Sequence, residues 1–212
     1  AATILECPIL KFGHRSASHL RAAVNRCGPG AKLIVLTDGM FARNGSVAPL
    51  NEYREALPDD ALLLVDDAHG AGVLGRHGCG TLEYTGTSRK GVIQTITMSK
   101  AFGAYGGVIL GSRQLRTRIF ERSHLFIGST PLPLPLIVAG RRALRLAAAK
   151  SFRTRLIERV SYVRNALKQA GLPTDETPGP IIALAARSLS AVSKVNRALL
   201  KKNIFPPFIK YP

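Results

Sequence analysis

The sequence predicts an α/β fold in which helices flank a mostly parallel sheet. Short apolar runs alternate along the 212-residue chain with stretches of helical periodicity, which is typical of such folds. The runs 31–39 and 61–69 are apolar without alternation, and this predicts strands that are buried on both faces. Between them, Leu50, Tyr53 and Leu57 stand at helical spacing. Together the three segments predict a right-handed β-α-β unit with a parallel strand pair.

The remaining elements continue this alternation. A helix is predicted near 16–28, ahead of the first strand, because a serine precedes it and a glycine stops it. Two further strands are predicted at 91–100 and 106–112, the second after a glycine-rich turn. A long helical pattern covers 134–170. The last segment, 179–212, predicts a strand, a helix and an extended end interrupted by prolines.

The chain is expected to contain parts of two domains. A boundary near Ala149 would separate a partial large domain, 1–149, from a partial small C-terminal α+β domain, 150–212. A large α/β sheet normally contains more strands than these patterns supply. The chain is therefore expected to be a fragment of a longer protein.

The hydrophobic content and net charge of the chain limit the classes of function that it can have. A hydrophobic content of 46% predicts a folded globular protein, while the formal net charge of +17 suggests nucleic acid, an anionic membrane or a phosphorylated substrate. The basic residues are spread along helical stretches and few aromatic residues accompany them, which favours a solvated basic face over nucleic-acid binding.

Cysteine usage and hydropathy indicate a cytoplasmic protein. Cys7, Cys27 and Cys79 have no regular spacing, so no disulfide framework is predicted. No apolar run approaches the about 20 residues that span a bilayer. The first residues also lack the pattern of a signal peptide. The sequence therefore predicts neither a membrane span nor secretion.

A dinucleotide site is one interpretation of the glycines after the second strand. Gly70, Gly72 and Gly75 match G-x-G-x-x-G, which in such a site opens a helix and is followed about 20 residues later by a carboxylate. The residues after Gly75 are glycine-rich and aperiodic, and the expected position holds the run 94–100 without a carboxylate. The match is therefore interpreted as coincidental.

A metal site is a second interpretation of the same region. It would gather five candidate ligands: Asp66, Asp67, His69, His77 and Cys79. Alternation along a strand places Asp66 and Asp67 on opposite faces, and His-x-Cys is not a usual zinc spacing. No metal ligand is predicted.

A third interpretation joins Asp66, His69 and Lys100. Asp66 and His69 lie at the carboxyl end of one predicted strand and Lys100 at that of another, which is where open α/β sheets bind their ligands. Pyridoxal phosphate suits this trio, because a carboxylate keeps its pyridine nitrogen protonated and an amine forms the Schiff base with its aldehyde. A hydrogen-bond donor near its 3-oxygen completes the set. We therefore expect pyridoxal phosphate as the cofactor.

The same residues carry a family resemblance. The segments 36–83, 95–112 and 126–135, with V-D-D-A-H-G-x-G-x-x-G followed by T-x-S-K, resemble the α-oxoamine synthase family. This family consists of fold-type-I pyridoxal-phosphate transferases of the class I/II aminotransferase superfamily. The match is collinear from about residue 12 to the end of the chain. It implies a three-layer large domain with a mostly parallel sheet between helices.

The resemblance implies a role for each matching residue. Lys100 would be the Schiff-base lysine, Asp66 would pair with the pyridinium nitrogen, and His69 would hydrogen-bond the 3-oxygen. Thr97 would help to bind the phosphate. Two hydroxyl residues match the place from which the partner subunit of a homodimer reaches the phosphate: Ser129 and Thr130. The glycines of the motif become packing and turn residues beneath the cofactor.

The resemblance also implies an activity, although the chain differs from the family at several positions of the site. The family condenses an amino acid with an acyl-CoA thioester, and its active site is shared across a homodimer. Ala42 stands where the family usually has a serine that contacts the cofactor. The family's ring-stacking histidine and phosphate loop would precede Ala1, and its substrate-binding arginine would follow Pro212. An aminotransferase or lyase on the same scaffold, and a non-catalytic paralogue that serves as a dimer partner, remain alternatives.

Overall fold

A computed structural model describes residues 7–172, 174–184 and 189–207. Its sheet has four strands, which are β1 Ile34–Asp38, β2 Leu62–Asp66, β3 Val92–Thr97 and β4 Gly107–Leu110. Their order across the sheet is β1-β2-β3-β4. The first three are parallel to one another, and β4 is antiparallel to β3. The connection 98–106 is shorter than the dozen or so residues that a parallel crossover needs, which explains the reversal.

Helices occupy much of the rest of the described chain. Their bounds are α1 Ala17–Asn25, α2 Leu50–Glu55, α3 Thr81–Thr85, α4 Arg113–Arg122, α5 Leu134–Ala147, α6 Lys150–Gln169 and α7 Leu189–Leu200. The caps of two of them agree with simple sequence rules, because the hydroxyls of Ser16 and Ser112 accept backbone N–H groups at the starts of α1 and α4. No helix in these described ranges is both long and apolar enough to cross a bilayer.

The structure corrects the predicted long helix at 134–170. The chain leaves the helical conformation at Ala149, so α5 and α6 are separate helices. Arg153 explains the break physically, because its buried guanidinium donates to the carbonyl of Ala147 at 2.5 Å and to that of Arg76 at 3.2 Å. A carbonyl at the end of α5 is thus satisfied by a side chain instead of by another helical turn. The division into domains 1–149 and 150–212 stays a prediction.

Two further local predictions need correction. The helix α4 was not predicted, although Ser112 provides an N-cap for it. The strand predicted from residue 179 is also wrong for the described part, since residues 179–184 form bends and irregular chain and no strand. Residues 185–188 of that prediction lie outside the described residues.

The core lies on one face of the sheet. Val35, Leu63 and Val65 are buried there against residues of α1, α2 and α3, including Leu20 and Tyr53. Strands buried on both faces were predicted, and this is wrong for the described chain. Ile34, Leu36 and Leu62, whose side chains point to the other face, are 61%, 41% and 38% exposed. A strand with apolar residues on both faces is buried on both only where helices or another sheet pack against each face. In the described chain, helices cover only one face of these strands.

The asymmetry of the sheet gives a direct stability prediction. Leu63→Ala, at a position that is 0% exposed, is expected to lower the free energy of unfolding by about 2–5 kcal/mol, because it leaves a cavity in the core. Leu62→Ala, the neighbouring residue on the open face, is expected to cost about 1 kcal/mol or less. Urea unfolding of both variants measures the difference. Equal costs would contradict the one-sided core.

Candidate active site

The carboxyl ends of β2 and β3 bring four predicted site residues to one edge of the sheet. Asp66 is the last residue of β2, and Thr97 is the last residue of β3. The turn after β2 carries His69, and the turn after β3 carries Lys100. The Nζ atom of Lys100 lies 2.9 Å from Nε2 of His69. The structure thus joins a pair that is 31 residues apart in the sequence, as the strand-end argument predicts.

The imidazole of His69 is held in its neutral form. Burial is the main cause that lowers the pKa of His69, and the positive charge of Lys100 lowers the pKa further. The carboxylates of Asp38 and Asp66 act in the opposite direction but do not reverse the shift. At neutral pH Nε2 can therefore accept a hydrogen bond from the Lys100 amine.

Asp66 presents a carboxylate beside this pair. Its Oδ1 accepts the backbone N–H of Ala68 at 3.0 Å, which fixes the carboxylate against the following turn. Asp38 is its register partner on β1, so both side chains point to the same face. Partial burial and the negative charge of Asp66 raise the pKa of Asp38. The sheet edge therefore carries two neighbouring acidic groups, of which sequence reasoning singled out only Asp66.

Two hydroxyl groups stand at the end of β3. Oγ1 of Thr97 lies 2.8 Å from Oγ of Ser99, and the backbone N–H of Ser99 donates to Oγ1 of Thr97 at 3.3 Å. Ser99 was not among the predicted cofactor-binding residues, although the T-x-S-K pattern contains it. The turn that presents Lys100 thus also presents a pair of potential phosphate donors.

Ser129 and Thr130 are not brought to this site within the chain. Both are exposed, and the Ser129 hydroxyl donates to the carbonyl of Phe126 at 2.8 Å inside its own turn. Neither forms a hydrogen bond with Asp66, His69 or Lys100 in the described part of the molecule. Their assignment to the partner's phosphate stays a prediction.

The motif glycines pack the two turns together. Gly72 has a φ of +81°, and a Cβ built on it would lie 2.8 Å from Cβ of Ala101. The His69 turn and the Lys100 turn approach each other at this point only because Gly72 lacks a side chain. The next helix begins at Thr81 and not at Gly75. The structure therefore agrees with the rejection of a dinucleotide fingerprint.

An open cavity adjoins the Lys100–His69 pair. It has a volume of about 890 Å³ and lies between the two turns, α5, α6 and residues 180–181. Its walls are largely apolar and include Phe102 and Leu156. Four arginines also line it: Arg142, Arg153, Arg155 and Arg159. No cluster of three or more metal-ligating side chains occurs in the part of the chain that is described.

The coupling between His69 and Lys100 is directly measurable. Lys100→Met is expected to raise the pKa of His69, because it removes both the positive charge and the hydrogen-bond donor that favour the neutral imidazole. NMR titration of the His69 ring measures this change. Lys90→Met, at an exposed lysine that makes no contact with His69, is the control and is expected to leave the titration unchanged. An unaltered titration in Lys100→Met would show that the pair does not form.

The fold matches solved structures of two kinds of enzyme. Serine palmitoyltransferase of Sphingomonas wittichii aligns over 100% of this chain and 54% of its own, with a TM-score of 0.91 at 22% identity. 8-Amino-7-oxononanoate synthase of Francisella tularensis aligns over 94% of this chain and 58% of its own, with a TM-score of 0.79 at 25% identity. The predicted fold class is thereby confirmed.

Curated relatives point to the same group. The 8-amino-7-oxononanoate synthase of Thermosipho melanesiensis is 31% identical over 201 residues, which are 94% of this chain and 51% of the relative. That of Pelobacter propionicus is 32% identical over 208 residues, which are 96% of this chain and 53% of the relative. The chain spans about half the length of the curated relatives it matches.

The synthase names of the curated relatives confirm the resemblance to the α-oxoamine synthases that the motifs indicate. A family model described as aminotransferase class I and II matches residues 4–208. The match includes every predicted site residue and nearly the whole sequence. The chain belongs to the aminotransferase class I and II family.

Proposed function

We propose that this chain supplies the lysine-bearing part of a pyridoxal-phosphate-dependent acyltransferase, which condenses an amino acid with an acyl-CoA thioester. The observation that carries the proposal is the 2.9 Å contact between Lys100 Nζ and His69 Nε2 at the sheet edge that also holds Asp66. Membership of a family of pyridoxal-phosphate enzymes supports it. The overall reaction would join the amino acid's α-carbon to the acyl carbonyl carbon as the carbon–sulfur bond of the thioester breaks. The proton lost from the α-carbon would leave with coenzyme A as its thiol, and the amino acid's carboxylate would leave as carbon dioxide and be replaced by a proton.

The donor set of the site fits pyridoxal phosphate. The cofactor needs an amine for its aldehyde, an anion for its ring nitrogen and hydroxyl or N–H groups for its phosphate. Lys100, Asp66 and the Thr97–Ser99 pair offer these groups on two adjacent strand ends. When bound, the cofactor supplies an electron sink for negative charge on the amino acid's α-carbon.

Each residue has a defined task in this proposal. Lys100 binds the cofactor covalently and can move protons at its Nζ atom, aided by the neutral imidazole of His69. His69 also orients the 3-oxygen. Asp66, fixed by the N–H of Ala68, keeps the ring nitrogen protonated through charge pairing. Thr97 binds the phosphate, with Ser99 beside it.

A second copy of the chain is the proposed partner. The exposed side chains around Ser129 and Thr130 are unusually apolar, since Leu125 is 93% exposed and Leu134 is 75% exposed. A homodimer that covers this surface would let the two hydroxyls reach the partner's phosphate, as the family resemblance implies. Analytical ultracentrifugation tests this arrangement, and a monomer at all concentrations would contradict it.

The surroundings of the site support the proposed substrates. The cavity beside Lys100 combines apolar walls with Arg142, Arg155 and Arg159, none of which forms a salt bridge in the described residues. Such a lining suits an acyl chain attached to a phosphate-rich coenzyme, as does the net charge of +17. We also propose that the protein acts in the cytoplasm, which agrees with its three free cysteines.

A non-catalytic dimer partner is the second candidate function. Ala42 favours it, because this position lacks the hydroxyl that the family usually supplies to the cofactor. In that case the fold and the dimer surface would be kept, while a catalytic paralogue bound to this chain would carry out the chemistry. An aminotransferase on the same scaffold differs in releasing no thiol.

Borohydride trapping tests the proposed function. The protein is incubated with pyridoxal phosphate, reduced with sodium borohydride and digested, and the modified peptide is identified by mass spectrometry. Modification at Lys100 is expected, since a Schiff base between the aldehyde and this amine becomes a stable secondary amine on reduction. Release of free coenzyme A from amino acid and acyl thioester then separates the acyltransferase from an aminotransferase. A chain with no modified lysine would support the non-catalytic candidate.

A further inference from the structure

Asp67 is a buried carboxylate to which the proposed chemistry gives no task. It directly follows Asp66, yet its side chain points to the covered face and is 0% exposed. Three donors surround its oxygens: the N–H of Thr81 at 2.7 Å, the hydroxyl of Thr81 at 2.6 Å and Nε2 of Gln94 at 2.7 Å. Burial nevertheless raises the pKa of Asp67. Burying a carboxylate costs desolvation free energy, even when hydrogen bonds offset part of it. A carboxylate in such a place therefore indicates a specific structural role.

Three loops close upon this carboxylate. A Cβ built on Gly39, Gly70 or Gly80 would lie 2.4, 2.1 or 2.0 Å from an oxygen of Asp67. Real atoms cannot approach so closely, so each loop reaches the carboxylate because glycine has no side chain. Gly39 follows Asp38 at the end of β1, Gly70 follows His69, and Gly80 precedes α3. The carboxylate therefore packs directly against three glycine-bearing segments, one of which carries His69.

The backbone of Asp67 ties the same turn to the sheet. Its N–H donates to the carbonyl of Thr95 on β3 at 2.8 Å. Its carbonyl accepts the N–H groups of Gly70 at 3.1 Å and Ala71 at 2.9 Å, which closes the turn that carries His69. The backbone of Asp67 thus fixes the His69 turn by hydrogen bonds, and the carboxylate of Asp67 packs against Gly70 of the same turn.

Gln94 extends the network to the protein surface. Its Nε2 also donates to the carbonyl of Cys79 at 3.1 Å, while its Oε1 accepts both terminal nitrogens of Arg89 at 2.9 and 2.8 Å. A positive group at the surface therefore polarises the amide that donates to Asp67. Every polar atom of the Gln94 side chain has a partner, as a well-ordered buried network requires.

We propose that Asp67 is a positioning residue, whose buried carboxylate holds the His69 turn in the place where the imidazole meets Lys100. The consequence for catalysis rests on the proposed function above. The positioning itself does not, because it concerns two side chains of this chain and can be measured without a cofactor.

The test is an NMR titration of the His69 ring in the cofactor-free chain. Asp67→Ala removes the support, so His69 is expected to become more solvated and to lose its contact with Lys100. The pKa of His69 should then rise toward its ordinary value, since burial and the charge of Lys100 are what lower it, against the carboxylates of Asp38 and Asp66.

Asp67→Asn is the matched conservative variant. The amide oxygen can accept from the Thr81 N–H and from Gln94, while the amide nitrogen can donate to the Thr81 hydroxyl, which reverses its role. The positioning is therefore expected to be retained, with a His69 titration that stays close to that of the wild type. A His69 pKa that matches the wild type in Asp67→Asn but not in Asp67→Ala would show that the hydrogen bonds of residue 67 hold the His69 turn in place.

Two further variants keep the test decisive if Asp67→Ala does not fold. Thr81→Val removes one donor at nearly constant volume and is expected to raise the pKa of His69 by a smaller amount. Leu50→Ala, in the core and without a contact to the His69 turn, is the stability control and should lower the melting temperature alone.

The outcomes separate this proposal from the proposed function. If Thr81→Val and every folded Asp67 variant titrate like the wild type, the carboxylate is only a stability element and the proposal is wrong. Failure of the wild type to trap pyridoxal phosphate on Lys100 would overturn the proposed function, while the His69 titrations would still decide the role of Asp67.

Discussion

Lys100→Ala is expected to abolish the visible absorption band that the wild type develops with pyridoxal phosphate. Only an unprotonated amine can condense with the cofactor's aldehyde, and Lys100 is the lysine that contacts His69 at the carboxyl edge of the sheet. The loss is expected to be complete and not partial, because no other lysine of the described chain lines the adjoining cavity. Absorbance spectroscopy at saturating cofactor measures it.

Lys100→Arg separates charge from covalent chemistry in this experiment. The guanidinium keeps the positive charge beside His69 but forms no Schiff base with the aldehyde. The band should therefore be absent in both variants, while the pKa of His69 should rise in the alanine variant only. Lys90→Ala is the control for nonspecific modification, and it should keep the full band. A band that persists in Lys100→Ala would assign the covalent link to another amine.

The convergence of the predicted site residues could be predicted from the sequence because it depends on short spacings. Asp66 ends β2, His69 lies in the turn after β2 and Lys100 lies in the turn after β3, and parallel strands bring their carboxyl ends together regardless of how the distant parts of the chain pack. The 2.9 Å contact between His69 and Lys100 is a consequence of that topology.

The break between α5 and α6 could not be predicted in the same way. Residues 147–150 contain neither glycine nor proline, so the helical pattern continues through them. What ends α5 is a tertiary contact, in which Arg153 also binds the carbonyl of Arg76 in a loop far away in the sequence. Local patterns do not contain such information.

Burial on the two faces of the sheet shows a related limit. Alternation correctly separated Asp66 from Asp67, but it could not say which face the helices cover or that three glycines converge on Asp67. The first two glycines of the apparent dinucleotide motif have their explanation here, since Gly70 makes room for the Asp67 carboxylate and Gly72 for Ala101. The spacing of the glycines drew attention to these positions, but only the packing of the structure shows why glycine is needed there.

Asp66→Asn is expected to lower turnover of the full active site by about 10²–10³-fold, the range found when one preorganised electrostatic partner of the reacting centre is removed. Asparagine keeps an oxygen that can accept the Ala68 N–H, so the turn should remain intact. What it lacks is the negative charge that keeps a pyridinium nitrogen protonated. The expected defect is therefore in turnover, with covalent binding at Lys100 retained.

Asp38→Asn is the matched control for this prediction. Asp38 is the register partner of Asp66, is exposed on the same face and is likewise a strand-terminal carboxylate. Asp38 is only partly buried, and its side chain forms no hydrogen bond with His69 or Lys100 in the described residues, so its loss should change turnover by less than about tenfold. Equal losses in the two variants would mean that the combined negative potential of the sheet edge matters, and not a specific pairing with Asp66. A large loss in Asp66→Asn alone, with borohydride trapping at Lys100 unchanged, assigns the pairing to that carboxylate.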